Sequence, residues 1–182
     1  MIKKQIHIIT GGPGFGKTTL IKELRSRGYL CSDEFARDLI EQQIDIGSEL
    51  LPWKRPKAFQ EVILRQRIDF FESVPVNTLA FADRGIVDQL AFARYRGFGT
   101  PLLLQESVNQ YRYAPHVFIT PAWPEIFVND PIRQESLEEA ILIHQAIIAT
   151  FSELNYELIE LPLLPVSQRA DFIFQHLRNN QI

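Results

Sequence analysis

Eight residues, Gly11-Gly12-Pro13-Gly14-Phe15-Gly16-Lys17-Thr18, constrain the chain more tightly than any other segment. They complete the pattern G-x-x-x-x-G-K-[ST], whose mechanism requires a strand to enter the loop and a helix to leave it. Both flanks fit. Gln5 to Thr10 is mostly β-branched and ends at glycines, which predicts a buried strand. Lys17 to Arg27 places Leu20, Ile21 and Leu24 on one helical face and stops at Gly28.

The physics of such a loop is specific. Gly14 and Gly16 allow backbone conformations and close approaches that a side chain would block. Backbone N–H groups from Gly14 through Thr18 can then converge on phosphate oxygens at the positive end of the following helix. Gly12, Phe15 and Thr19 complete the expected nucleotide-binding set, and Pro13, which has no N–H, stiffens the loop. Lys17 suits the β- and γ-phosphates, and the Thr18 hydroxyl suits Mg²⁺. The expected ligands are ATP or another nucleoside triphosphate, with Mg²⁺. The guanine-reading Asn-Lys-x-Asp motif is absent, but nothing selects adenine directly.

The rest of the chain alternates strand and helix patterns. Strands are expected over 29–32, 78–82, 116–120 and 156–161. Helices are expected over 33–46, 57–73, 86–95, 101–111 (Thr100 as cap, Pro101 first in the helix) and 167–177, with another carrying Leu137, Ile141, His144, Ile148 and Phe151. This is an α/β fold with a mostly parallel sheet. At 182 residues the chain fits one domain, 1–182, able to bury a core without disulfides, and Cys31 is its single cysteine. The net charge of −3, with no basic block, disfavours a nucleic-acid partner. No apolar run approaches a membrane span, and the stretch after Met1-Ile2-Lys3-Lys4 is too polar for a signal core. The expectation is a cytoplasmic protein without membrane insertion; the sequence names no protein partner.

Several residues are candidates to face the loop. Asp83 ends the apolar run Thr78 to Ala82, where a metal-holding carboxylate is needed; a helix-capping aspartate is the competing account, and both roles are compatible. Arg84 suits a phosphate equally as it suits the surface, and Gly85 would permit a sharp turn. Glu34 and Arg37 share a helical face, so Glu34 could accept a proton from a substrate hydroxyl; a surface carboxylate with a nearby arginine is the plainer alternative. Arg133, in the segment Asn129 to Glu135, could close over transferring phosphoryl groups, or simply follow a capped helix start at Asp130-Pro131. Trp53 and Trp123 lie in proline-containing loops, where anchoring competes with stacking on a ligand. His144, on an apolar helical face, reads as a core residue.

Taken in order, Gly11 to Thr18, Glu34-x-x-Arg37, Leu51-Pro52-Trp53, Asp83-Arg84-Gly85 with Asp88, Asp130-x-x-Arg133, and Pro162 followed by Arg169 resemble the AAA-type ATPase domain family that includes the kinase domain of NadR-like proteins. That resemblance spans nearly the whole chain. It implies a P-loop NTPase three-layer sandwich with a five-stranded sheet in the kinase-like order 2-3-1-4-5. It also implies a lid around 121–136 carrying Arg133, Glu34 as the substrate-side carboxylate, and Arg169 near the adenine. The expected activity is transfer of the γ-phosphoryl of ATP to a hydroxylated metabolite or nucleoside-like small-molecule acceptor, with Arg37, Trp53 and Arg84 on the acceptor. The alternative is a nucleotide-dependent switch or slow ATPase or GTPase; AAA-type motor activity does not suit so short a chain.

Overall fold

Strand side chains alternate between two faces, and in β1 (Ile6–Thr10) both faces are buried. Such a strand belongs in the middle of a covered sheet. The computed structural model, which describes residues 4–127 and 135–179, places it there. The sheet contains β2 (Leu30–Cys31), β3 (Ala80–Asp83), β1, β4 (His116–Ile119) and β5 (Glu157–Glu160) in the order β2-β3-β1-β4-β5. Every pairing is parallel.

Ile6 and Ile8 point to one face with Ala80, Ala82 and Val117, where they meet α3 (Pro56–Ser73), α4 (Ile86–Arg96), α5 (Leu102–Gln110) and α6 (Leu137–Glu153). Ile9, Phe81 and Phe118 point to the other face and pack on α1 (Lys17–Ser26) and α7 (Val166–Asn179). A third cluster joins Leu39 and Ile40 of α2 (Phe35–Asp45) to Leu51, Phe59 and Ile63. It pins the loop between α2 and α3 to the edge of the molecule.

This is the expected P-loop architecture with the kinase-like strand order. Because β1 pairs with β3 on one side and β4 on the other, the chain reverses its winding at β1, and the carboxyl ends there form the crevice where ligands bind in open α/β sheets. Two local expectations need correction. Helix α5 begins at Leu102 with Pro101 as its N-cap, because Pro101 is extended (φ −52°, ψ 147°) and stands outside the helix. Strand β2 is two residues long, and Ser32 turns its hydroxyl to accept the Asp83 N–H at 2.8 Å. Asp130 and Arg133 lie outside the described residues; just before them is a single 3₁₀ turn, Pro124–Ile126. Among the described residues no helix is long and apolar enough to cross a membrane.

Candidate nucleotide and acceptor site

The glycine loop joins β1 to α1, and Gly16 caps that helix with a left-handed backbone (φ 78°). A side chain there would also crowd Ile126 and the Arg169 guanidinium at about 3 Å. A Cβ at Gly14 would stand 2.6 Å from the Phe127 ring, so the loop is packed tightly from outside. The Lys17 ammonium is buried and donates to the Gly12 carbonyl at 2.6 Å. His144 is buried, as its apolar face predicts, but it also touches the loop: its Nδ1 accepts the Gly12 N–H at 3.3 Å, and its ring meets Phe15 edge-on. Burial, with the positive charges of Lys17 and Arg84, lowers its pKa, which keeps Nδ1 available as an acceptor.

Opposite the loop, Asp83 ends β3. Both of its carboxylate oxygens are buried without a hydrogen-bond partner. Burial raises its pKa to about 6, against the pull of Lys17; the charges of Glu34 and Asp88 add to the rise. Buried polar oxygens are normally satisfied, so this orphaned pair fits a cation. The Thr18 hydroxyl at the end of the loop donates to the Glu34 carboxylate at 2.7 Å. The donors that Asp83 and Thr18 offer are all oxygen, which suits Mg²⁺.

Arg84 has a left-handed backbone (φ 64°), uncommon for a side-chain-bearing residue, and its N–H donates to the Ile9 carbonyl. The sharp turn expected of Gly85 is therefore made one residue earlier. Gly85 itself is extended (φ −135°), and its lack of a side chain serves close packing: a Cβ would lie 2.5 Å from Ile8 Cδ1. Asp88 organises this turn from a fully buried position. It accepts the Gly85 N–H at 2.7 Å, the Thr10 hydroxyl, and Arg84 Nη1 at 3.3 Å. The Arg84 guanidinium also lies over the Phe92 ring, 5.0 Å from its centre.

Beside the loop opens a cavity of about 700 Å³, lined by Pro13, Glu34, Arg37, Trp53, Arg84 and residues of α3, α4 and α6. The structure thus brings Glu34, Arg37, Trp53 and Arg84 together on one cavity. Trp53 is about half exposed at 49%, and the loop around it is anchored instead by buried Leu51. Arg67, Gln89, Phe92 and Arg96 also line the cavity. Sequence reasoning missed them because they fall on helix faces that read as ordinary amphipathic patterning. Arg169 reaches the loop from α7: its Nη1 lies 3.5 Å from the Gly16 carbonyl, and its guanidinium covers the Trp123 ring at 5.4 Å. A second cavity, about 520 Å³ beside Arg27 and Phe174, holds none of these residues.

The family model for the AAA domain matches residues 6–169, so the chain belongs to that family. None of the curated proteins matches it. Its fold is similar to that of deoxyadenosine kinase from M. mycoides (14% identity, 96% of this chain and 98% of that one, TM-score 0.65). It is also similar to the NadR protein in complex with NR (18% identity, TM-score 0.69), of which it covers 53% while being covered in full itself. Shikimate kinase from Acinetobacter baumannii shares the fold as well (18% identity, 99% of this chain and 96% of that one, TM-score 0.58).

Proposed function

We propose that this AAA-domain chain is a small-molecule kinase that transfers the γ-phosphoryl group of ATP to a hydroxyl of an acceptor bound in the 700 Å³ cavity. The observation that carries this reading is the position of Glu34. Its carboxylate accepts the hydroxyl of Thr18 on the glycine loop, and it also lines the cavity, so one side chain joins the nucleotide and acceptor halves. A switch needs no such second chamber. The fold neighbours named as kinases of a nucleoside and of shikimate support the same reading at the level of architecture.

Mg-ATP supplies an electrophilic phosphorus whose charge the metal helps to neutralise. The chain's residues then do the positioning. Loop N–H groups cradle the phosphates, while the Lys17 ammonium moves from the Gly12 carbonyl to phosphate oxygens. Asp83 and Thr18 are the residues for Mg²⁺. Glu34 orients the acceptor hydroxyl and takes its proton as the new oxygen–phosphorus bond forms and the bond to the β-phosphate oxygen breaks. Arg84, fixed by Asp88, sits on the cavity side, where it neutralises charge on the transferred group. Arg169 and Trp123 form a cation–aromatic wall beside Gly16 for the nucleotide. The lid role assigned to the 121–136 segment and its Arg133 belongs to this proposal too.

The test is transfer from γ-labelled ATP across a panel of hydroxylated metabolites, with Glu34→Gln as control. Transfer to at least one acceptor, lost in Glu34→Gln while nucleotide binding persists, is the expected result. ATP turnover that is indifferent to every acceptor and to Glu34→Gln would overturn it.

A further inference from the structure

We propose that the acceptor carries a carboxylate and that the guanidinium of Arg67 is its docking group, an inference that rests on the kinase reading and names the class of substrate. The cavity wall is unevenly paired in charge. Its four arginines are Arg37, Arg67, Arg84 and Arg96. Arg37 pairs with Glu41 at 3.1 Å, Arg84 with Asp88, and Arg96 with Glu135 and Glu139 at 3.2 and 2.6 Å. Arg67 has no such carboxylate among the described residues. It is 94% buried by its 6% exposure, its Nη1 donates to the neutral Gln89 amide oxygen at 3.2 Å, and its Nε has no partner.

A guanidinium cannot discard its charge as a lysine can, and a buried charge without an opposite charge is costly. The nearest acids do not cure this. Asp88 and Asp83 act on Arg67 through charge alone: among the described residues neither forms a hydrogen bond or ion pair with it, and the oxygens of Asp88 already serve Gly85, Thr10 and Arg84. Gln89 is itself locked, its amide N–H donating to the Gln60 carbonyl at 2.6 Å, so the Nη1 partner is fixed in place. Arg67 lines the cavity with a guanidinium that has no carboxylate of its own, and a carboxylate bound there would supply the missing opposite charge. Phe92 and Phe98 line the same cavity and offer apolar surface to the body of a ring-bearing acid.

Calorimetric titration with ADP and Mg²⁺ present measures this without requiring chemistry. The probes are matched pairs that differ by one carboxylate, shikimate with its methyl ester and orotidine with uridine, plus uridine 5′-monophosphate. At least one acid is expected to bind at least tenfold more tightly than its neutral partner, and Arg67→Gln is expected to abolish that preference. Gln89→Glu is a second variant that leaves Arg67 present; by giving it an internal carboxylate it should raise the Tm of the unliganded protein and remove the acid preference. Equal binding of acid and neutral partner, preference for the monophosphate alone, or a preference that survives Arg67→Gln or Gln89→Glu overturns the assignment. Phosphate transfer to uridine with no acid preference would sink this inference and keep the kinase reading. Acid binding through Arg67 without any transfer would do the reverse.

Discussion

The glycine loop and the cavity beside it are assembled in different ways. The loop is one contiguous segment, and the groups it offers are mostly backbone: N–H donors, a helix end, and glycines crowded from outside by Phe127, Ile126 and Arg169. The cavity takes its walls mainly from α2, α3, α4 and the start of α6, with Pro13 of the glycine loop and Trp53 of the α2–α3 loop at its margin, so its lining comes from segments far apart in the chain. A site of the first kind is set by local sequence and tolerates little change. A site of the second kind depends on how helices pack, and its specificity can be re-cut by one substitution. Asp88 and Glu34 are the joints between the two.

The largest expected effect severs one half from the other. Lys17→Ala should lower phosphate transfer at least about 100-fold, as removal of a charge-stabilising donor does, while acceptor binding measured by calorimetry stays within a few-fold of wild type. If acceptor binding collapses as well, the two halves are a single unit and the contrast fails.

Next in size is the joint itself. Asp88→Ala removes the acceptor for the Gly85 N–H, the Thr10 hydroxyl and Arg84, all at or near a turn with a left-handed arginine. Stranding buried donors costs about 1–3 kcal/mol each at most, and the charge on Arg84 adds to it. Loss of about 3 kcal/mol, seen as a Tm lower by roughly 6–12 °C, is expected. A drop within a degree of zero would mean the turn holds without its carboxylate.

Asp83 gives a smaller effect with a distinctive pH dependence. Its pKa is raised from 3.8 to about 6, so the folded protein binds this proton more tightly than the unfolded chain does. Ionising it therefore costs stability, and the cost is absent below about pH 4, grows through pH 6 and is complete above it. Asp83→Asn should be more stable than wild type by up to a few kcal/mol at pH 8, with the gap closing towards pH 4. Added Mg²⁺ should stabilise the wild type above pH 6 and leave the variant unmoved. A constant gap across pH would deny the buried carboxylate its charge.

How much of this was legible in the sequence follows from the same contrast. The loop, its flanking elements and Asp83 at a strand end were readable because the phosphate motif is contiguous and strand periodicity is local. Strand order came from resemblance rather than periodicity, since pairing between β1 and β4 joins residues far apart in the chain. Arg67 and Gln89 were invisible: each occupies a helix position that patterning assigns to an amphipathic face, and only the packing of α3 on α4 turns both into the cavity. His144 was half legible, since an apolar helical face predicts burial but not the Gly12 contact.

The smallest expected effect on stability separates anchoring from binding in the α2–α3 loop. Trp53 lies in that loop next to two candidate fates, and the structure divides them between neighbours. Leu51 is 6% exposed and packs with Leu39, Ile40, Phe59 and Ile63, so it holds the loop down. Trp53 is 49% exposed, lines the cavity and belongs to none of the buried core clusters, so it does less than Leu51 to hold the loop. Trp53→Ala should cost unfolding stability no more than about 1 kcal/mol, whereas Leu51→Ala should cost about 2–4 kcal/mol through the void it leaves. On the acceptor the order should invert: Trp53→Ala raises KM several-fold with kcat little changed, since stacking on a ring contributes to binding and not to the reacting bonds. A KM unmoved by Trp53→Ala would place the acceptor deeper, against Phe92 and Arg67, and leave Trp53 at the mouth of the cavity.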